Sequence, residues 1–166
     1  MEAPRTPHYT AVLHILRYVK GTIFHGLYYR YNSSLELNGY SNADWGGDPI
    51  TGCSTTGFRF FLGDSLISWR SKKQSLASKL SAESEYRALA DTTQELIWLR
   101  WLLEDMSVTY SPTTLLYCDS KSVMDVAHND IFHERTTHIE IDCHFTRQQV
   151  TKGMVYLRIV PSATTP

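Results

Sequence analysis

The stretch Leu115-Leu116-Tyr117-Cys118-Asp119-Ser120-Lys121-Ser122-Val123 limits the possible folds more than any other part of the sequence. A short apolar run ends there on an acid and passes at once into helix-forming residues, with Ser120 placed to cap the helix. A core strand that leads straight into a helix belongs to an α/β sheet. Such sheets bind ligands beyond the carboxyl ends of their strands. Asp119 therefore stands at a ligand-binding edge, and the question is which other acids meet it there.

Thr6-Pro7 predicts a helix start, with Thr6 as the cap, and Val12, Ile15, Leu16 and Val19 form one apolar face that calls for a packing neighbour. His8, His14, Arg17 and Lys20 lie on its polar side, and Gly21 ends it. Leu27 to Tyr31 is strand-like, and Asn32-Ser33-Ser34 is a turn at which a new unit begins. Leu35 to Asp44 alternates, so Asn42 and Asp44 face the same way. Thr55 to Leu62 and Ser65 to Trp69 are two further strands, joined at Gly63-Asp64 by a hairpin turn with glycine first. Arg70-Ser71-Lys72-Lys73, the densest cationic cluster, follows.

The longest helix runs from about Ser81 to Asp105, with Ser81 as cap and Glu83 in the first turn. Trp98 and Trp101 on it are read as core or domain-contact residues. After the Asp119 strand come a short helix from Lys121 to His128, a loop to Thr137, a helix from Ile139 to Lys152 and a last strand from Met154 to Val160. Meander first and crossovers later give an α/β (α+β) mixed sheet of five strands with helices on both faces.

Two glutamates compete near the start of the long helix. Glu85 shares its line with Leu89 and Leu96 and so borders the buried stripe, whereas Glu83 aligns with Arg87 as an ordinary surface ion pair. Asp44 at the end of the first strand is a further candidate, and Asp48 suits an Asx turn. If the first strand and the Asp119 strand lie adjacent and parallel, Asp44 and Asp119 project from one end and Glu85 can reach over both. Three carboxylates together repel one another unless a divalent cation is present, and oxygen-only ligands favour Mg2+ or Mn2+ over zinc. Such clusters hydrolyse phosphodiesters. Arg70, Lys72 and Lys73 then lie where phosphates pass. His133 and His138 flank a loop near this edge; a plain polar-surface role is the expectation, and assistance to water entry or product release by one of them is the alternative. His138 and His144 do not share a helical face well enough for a zinc pair.

Composition narrows the class. A net charge of -1 argues against a general nucleic-acid coating protein, although it permits a local basic track. The three cysteines have no close pair and read as reduced thiols, which implies an intracellular protein; no membrane span is expected.

The residues also carry a family likeness. Gly39 to Asp48 resembles the GYSDADWAGD motif of copia-type LTR retrotransposon polyproteins, and Ile67 to Gln74, Ser81 to Ala88, Tyr117 to Asp119 and His133 to Phe145 match the same family in order. Ala3 to His8 and Ile15 to Thr22 resemble the end of its reverse transcriptase. The resemblance implies residues 1–32 as a reverse-transcriptase tail and residues 33–166 as a ribonuclease H-like domain. The expected partners are an RNA/DNA hybrid and the reverse-transcriptase core. Mg2+ (or Mn2+) would serve cleavage of the RNA strand, in the cytoplasm, a virus-like particle or the nucleus. Family carboxylates fall on Glu85 and Asp119, with Ser84 joining Arg70, Lys72 and Lys73 in nucleic-acid binding. The first family aspartate aligns either with Asn42 or with Asp44, and Asp44 is the assignment made. Gly52, Cys53 and Thr137 depart from usual basic positions. A fourth family carboxylate, on or near a final helix, falls beyond Pro166, so the domain is expected to be truncated. A degenerate, non-catalytic relic that binds nucleic acid weakly is the alternative to an active nuclease.

Overall fold

The structure is a computed structural model; it describes the backbone of residues 5–121 and 137–160, with side chains for all of these except 137–140. The elements are α1 (Thr6–Gly21), β1 (Leu37–Asp44), β2 (Thr55–Leu62), β3 (Ser65–Lys73), α2 (Ser81–Asp105), β4 (Thr114–Cys118), α3 (Thr137–Thr151) and β5 (Val155–Ile159). The short helix after Lys121, the loop that carries His133 and the chain after Val160 lie outside the described residues.

The strands form one sheet in the order β3-β2-β1-β4-β5. β1 pairs antiparallel with β2, β2 antiparallel with β3, and β1 parallel with β4, which in turn runs parallel to β5. The expected mixed sheet is therefore present, and β1 and the Asp119 strand are parallel neighbours. Gly63 sits at the β2–β3 turn with φ +58, where a Cβ would also collide with Ser33 and Ser34.

Period-two alternation sends Leu37, Gly39 and Ser41 of β1 to one face, along with Phe58 and Phe60 of β2, Leu116 of β4 and Val155 and Leu157 of β5. α2 closes this face with Tyr86, Leu89, Leu96, Leu99 and Leu103, all at 8% exposure or less. Burial of each such side chain is worth about 1.5–3 kcal/mol. Gly39 is required here because a Cβ would stand 2.5 Å from the Phe60 ring. Polar groups on the face are paired: the Ser41 and Thr92 hydroxyls lie 2.9 Å apart, and Arg100 donates to the Pro112 carbonyl (2.7 Å) and the Thr114 hydroxyl (3.0 Å). Cys143 and Val150 of α3 pack against the same core. Among the described residues, both helices that pack on the sheet thus lie on one face.

Several local expectations are corrected. Leu27 to Tyr31 forms no strand, since no neighbour offers its backbone a ladder. β3 runs on to Lys73 because Thr55, Thr56 and Gly57 pair with Lys73, Lys72 and Ser71, so the cationic cluster is strand, not loop. Arg5, not Thr6, is the cap of α1, and its amide donates to His8 Nδ1 at 3.0 Å. Leu80, not Ser81, caps α2. Glu83 is buried and accepts from the Lys79 amide at 2.8 Å, while Arg87 donates to Leu76 and Ser78; the two do not form the surface pair expected of them. Trp98 and Trp101 are 52% and 60% exposed, on the side of α2 turned away from Leu96 and Leu99. No residue of α1 is buried, so its apolar face has no packing neighbour among the described residues.

Candidate active site at the carboxyl ends of β1 and β4

Two crossovers meet where β1 and β4 end side by side. Asn42 of β1, Glu85 from the first turns of α2, and Asp119 immediately after β4 line one small cleft, together with Ser41, Ala43, Cys118 and Ser120. Its volume is about 10 Å3, which leaves room for little more than a single ion or water. Glu85 Oε2 is buried without a hydrogen-bond partner. An ionised oxygen withdrawn from water is unstable unless a cation or donor meets it. Burial, together with the charges of Asp119 and Glu85, pushes the Cys118 thiol up to about 11, so the floor of the cleft holds a neutral thiol.

Asp44 does not line this cleft. The chain turns after β1 through Gly46 (φ +64), and the Asp44 carboxylate lies against Gly47, where a Cβ would overlap it. Asn42 instead occupies the place beside Glu85 and Asp119. Among the described residues, no three histidine, cysteine, aspartate or glutamate side chains are grouped closely enough to hold a metal ion. Sequence pattern places Asn42 and Asp44 on one face. It does not show the register with β4: Tyr40 pairs with Tyr117, which puts Asn42 level with Asp119 and Asp44 two residues further along the strand.

The basic residues are dispersed. Lys73 is paired with Asp48, whose other oxygen accepts from the Ile50 (2.8 Å) and Thr51 (3.2 Å) amides. The Lys73 ammonium, then these amides, hold the Asp48 carboxyl well below the usual aspartate range, and the expected Asx turn is present. Arg70 and Lys72 border a polar cleft of about 200 Å3 between β3 and α2, opposite Asp91 and Glu95. Ser84 is fully buried: its hydroxyl donates to the Ser81 carbonyl at 2.7 Å, and its carbonyl accepts from the Gln74 amide at 2.9 Å. It offers nothing to a nucleic acid, which corrects its expected role. Gln74, which also donates to Thr56 at 3.1 Å, ties β3 to the turn of α2 next to Glu85. Its one legible signal was its place at the end of the Ile67-to-Gln74 motif.

The geometry has clear relatives. The chain is 40% identical over 164 residues to the retrovirus-related Pol polyprotein from transposon RE2 of Arabidopsis thaliana, a match over 99% of this chain and 11% of that protein. It is 36% identical over 150 residues (90% of this chain, 11% of that protein) to the retrovirus-related Pol polyprotein from transposon TNT 1-94 of Nicotiana tabacum. The RNase H1 of Halobacterium salinarum NRC-1 superposes with a TM-score of 0.54 at 16% identity, over 78% of this chain and 88% of that one. The chain is a homologue of transposon Pol polyproteins, with the ribonuclease H fold. LC11-RNase H1, solved in complex with an RNA/DNA hybrid, gives a TM-score of 0.55 at 8% identity, over 77% of this chain and 87% of that one. No protein-family model matches. The chain spans about a tenth of the length of the Pol relatives it matches.

Within this ribonuclease H fold, oxygen donors and a partnerless buried carboxylate oxygen suit a hard divalent cation. Glu85 and Asp119 would hold it, with the Asn42 amide oxygen as a neutral third donor.

Proposed function

We propose that this chain is the ribonuclease H segment of a copia-type transposon polyprotein and that its site hydrolyses the RNA strand of an RNA/DNA hybrid with Mg2+ or Mn2+. The observation that carries the reading is the buried, partnerless Oε2 of Glu85, a residue that lines the same cleft as Asp119. When bound, the cation supplies positive charge against the scissile phosphate and activates water. Glu85 and Asp119 anchor and orient it from two separate elements, so their spacing is fixed by the packing of α2 on β1. Arg70 and Lys72 draw the phosphate backbone along the β3 side, and Asp91 and Glu95 across the cleft temper that attraction. The reverse-transcriptase core is the expected neighbour of α1, whose exposed Ile15 and Leu16 need one.

One observation favours the alternative of a catalytically silent relic. Asn42 stands beside Glu85 and Asp119, so the cleft has one formal negative charge fewer than an aspartate there would give. The test is Mg2+-dependent cleavage of a labelled hybrid by the parent chain, by Asp119→Asn and by Asn42→Asp. Cleavage by the parent above the Asp119→Asn background supports the nuclease. Failure of both the parent and Asn42→Asp to exceed that background leaves the relic.

A further inference from the structure

Gln74, the first residue after β3, is only 8% exposed, and its side-chain amide joins two of the elements that carry the cleft. Nε2 donates to the Ser84 carbonyl at 2.9 Å, one residue before Glu85, and to the Thr56 hydroxyl at 3.1 Å. Thr56 is the antiparallel partner of Ala43, which follows Asn42 on β1. The backbone adds a further tie. The Gln74 amide donates to the Ser54 carbonyl at 2.8 Å, and the Ser54 hydroxyl accepts at 3.1 Å from Gly46, in the turn after β1. Ser54, Thr56 and Ser84 are all buried, so bulk water does not compete for these bonds.

The arrangement leaves a mark on Gln74 itself: its Oε1 is buried with no hydrogen-bond partner among the described residues. The amide cannot turn over to relieve this, because Oε1 would then face the Ser84 carbonyl, acceptor against acceptor. A side chain serving stability alone would not leave a buried acceptor unmet. Both donors are committed instead to spacing the turn that holds Glu85 from the strands beside Asn42. We propose that Gln74 is a positioning residue for the cation: it sets the reach of Glu85 toward Asn42 and Asp119, and it does not itself line the cleft. The inference rests on the proposed cation site and adds the residue that fixes its geometry. Mg2+ demands near-ideal placement of its oxygens, so a small drift of the α2 turn is felt as lost affinity.

Titration calorimetry of Mg2+ into the full chain, with thermal unfolding of the same samples, tests this. Gln74→Met keeps the length and bulk of the side chain but removes both donors, and should weaken Mg2+ binding roughly 10- to 100-fold. Thr56→Val removes only the strand-side acceptor and should weaken binding by a smaller factor; it carries the test should Gln74→Met fail to fold. Arg100→Met is the control for lost stability, because it strips buried hydrogen bonds toward the other end of α2. It should lower the unfolding temperature and leave Mg2+ affinity unchanged. In hybrid cleavage, Gln74→Met should raise the half-saturating Mg2+ concentration by the same factor and approach the parent rate at saturating Mg2+. Parent-like Mg2+ affinity in Gln74→Met, or in Thr56→Val where only that variant folds, overturns the proposal and leaves the hydrolytic reading standing. So does an equal loss of affinity in Arg100→Met, which would mark general loosening of the fold. Absence of Mg2+ binding by the parent sinks the cation site and the positioning role together. Tight Mg2+ binding without hybrid cleavage by the parent would sink the hydrolytic reading alone.

Discussion

The two faces of the sheet come from the same five strands and differ in almost every physical respect. On the α2 side Leu37, Phe60, Leu116, Val155 and Leu157 are at 3% exposure or less, and the polar groups among them, Ser41 and Thr114, each have an internal partner. On the other side Tyr40 and Tyr117 are half-buried, and Trp69, Tyr156 and Arg158 are exposed. Because side chains alternate, each residue step along β1 or β4 moves from one chemistry to the other. Stability comes mainly from one face. The candidate cleft lies at the strand ends, where the two faces meet.

Phe60→Ala should therefore destabilise the fold by about 3–5 kcal/mol, whereas Trp69→Ala, directed to the open side, should stay within about 1 kcal/mol. Urea unfolding measures both, and equal shifts would abolish the distinction between the faces. Arg100→Met comes next. It strips partners from the Pro112 carbonyl and the Thr114 hydroxyl at the start of β4, for a loss of about 2 kcal/mol by the same measurement.

At the strand ends, Asn42→Asp should tighten Mg2+ binding by about tenfold, equivalent to ~1.4 kcal/mol, with little change for Asp44→Asn. Titration calorimetry decides between the two positions, and a larger effect at Asp44 would return the site to that residue. The smallest effect concerns the loop after β1. The folded-state pKa of Asp48 is depressed, so its contribution is complete above the ordinary aspartate range and disappears only as pH falls below it. Acid unfolding of the parent should differ from that of Asp48→Asn between neutral pH and about pH 4, and the curves should converge below that.

Patterns of period two and 3.6 carried much of this fold. The alternation in Leu37–Asp44 and Thr55–Leu62, the glycine of the Gly63-Asp64 turn and the acid after Leu115–Cys118 were enough to anticipate a mixed sheet of five strands. Where periodicity is silent, the sequence misled. Leu27 to Tyr31 has strand composition but no pairing partner, and Trp98 and Trp101 are aromatic yet fall on the outer side of α2. Glu85 was legible from its line with Leu89 and Leu96. The choice between Asn42 and Asp44 was not, because it depends on the register of β1 against β4, which alternation does not fix. Ser84 failed as a ligand contact because its hydroxyl and carbonyl are already taken up internally.

The central position of β1 has a consequence for how the chain comes together. β1, β2 and β3 are joined by short connections and form a meander that emerges early from a ribosome, but β1 borders β4, which begins only at Thr114. Until α2 and β4 have been made, the most buried strand of the finished sheet is an edge, with unpaired amides open to any passing strand. The growing chain is then most prone to misassembly over the synthesis of α2. Pulse proteolysis of stalled nascent chains should show resistance rising steeply once Cys118 has cleared the exit tunnel.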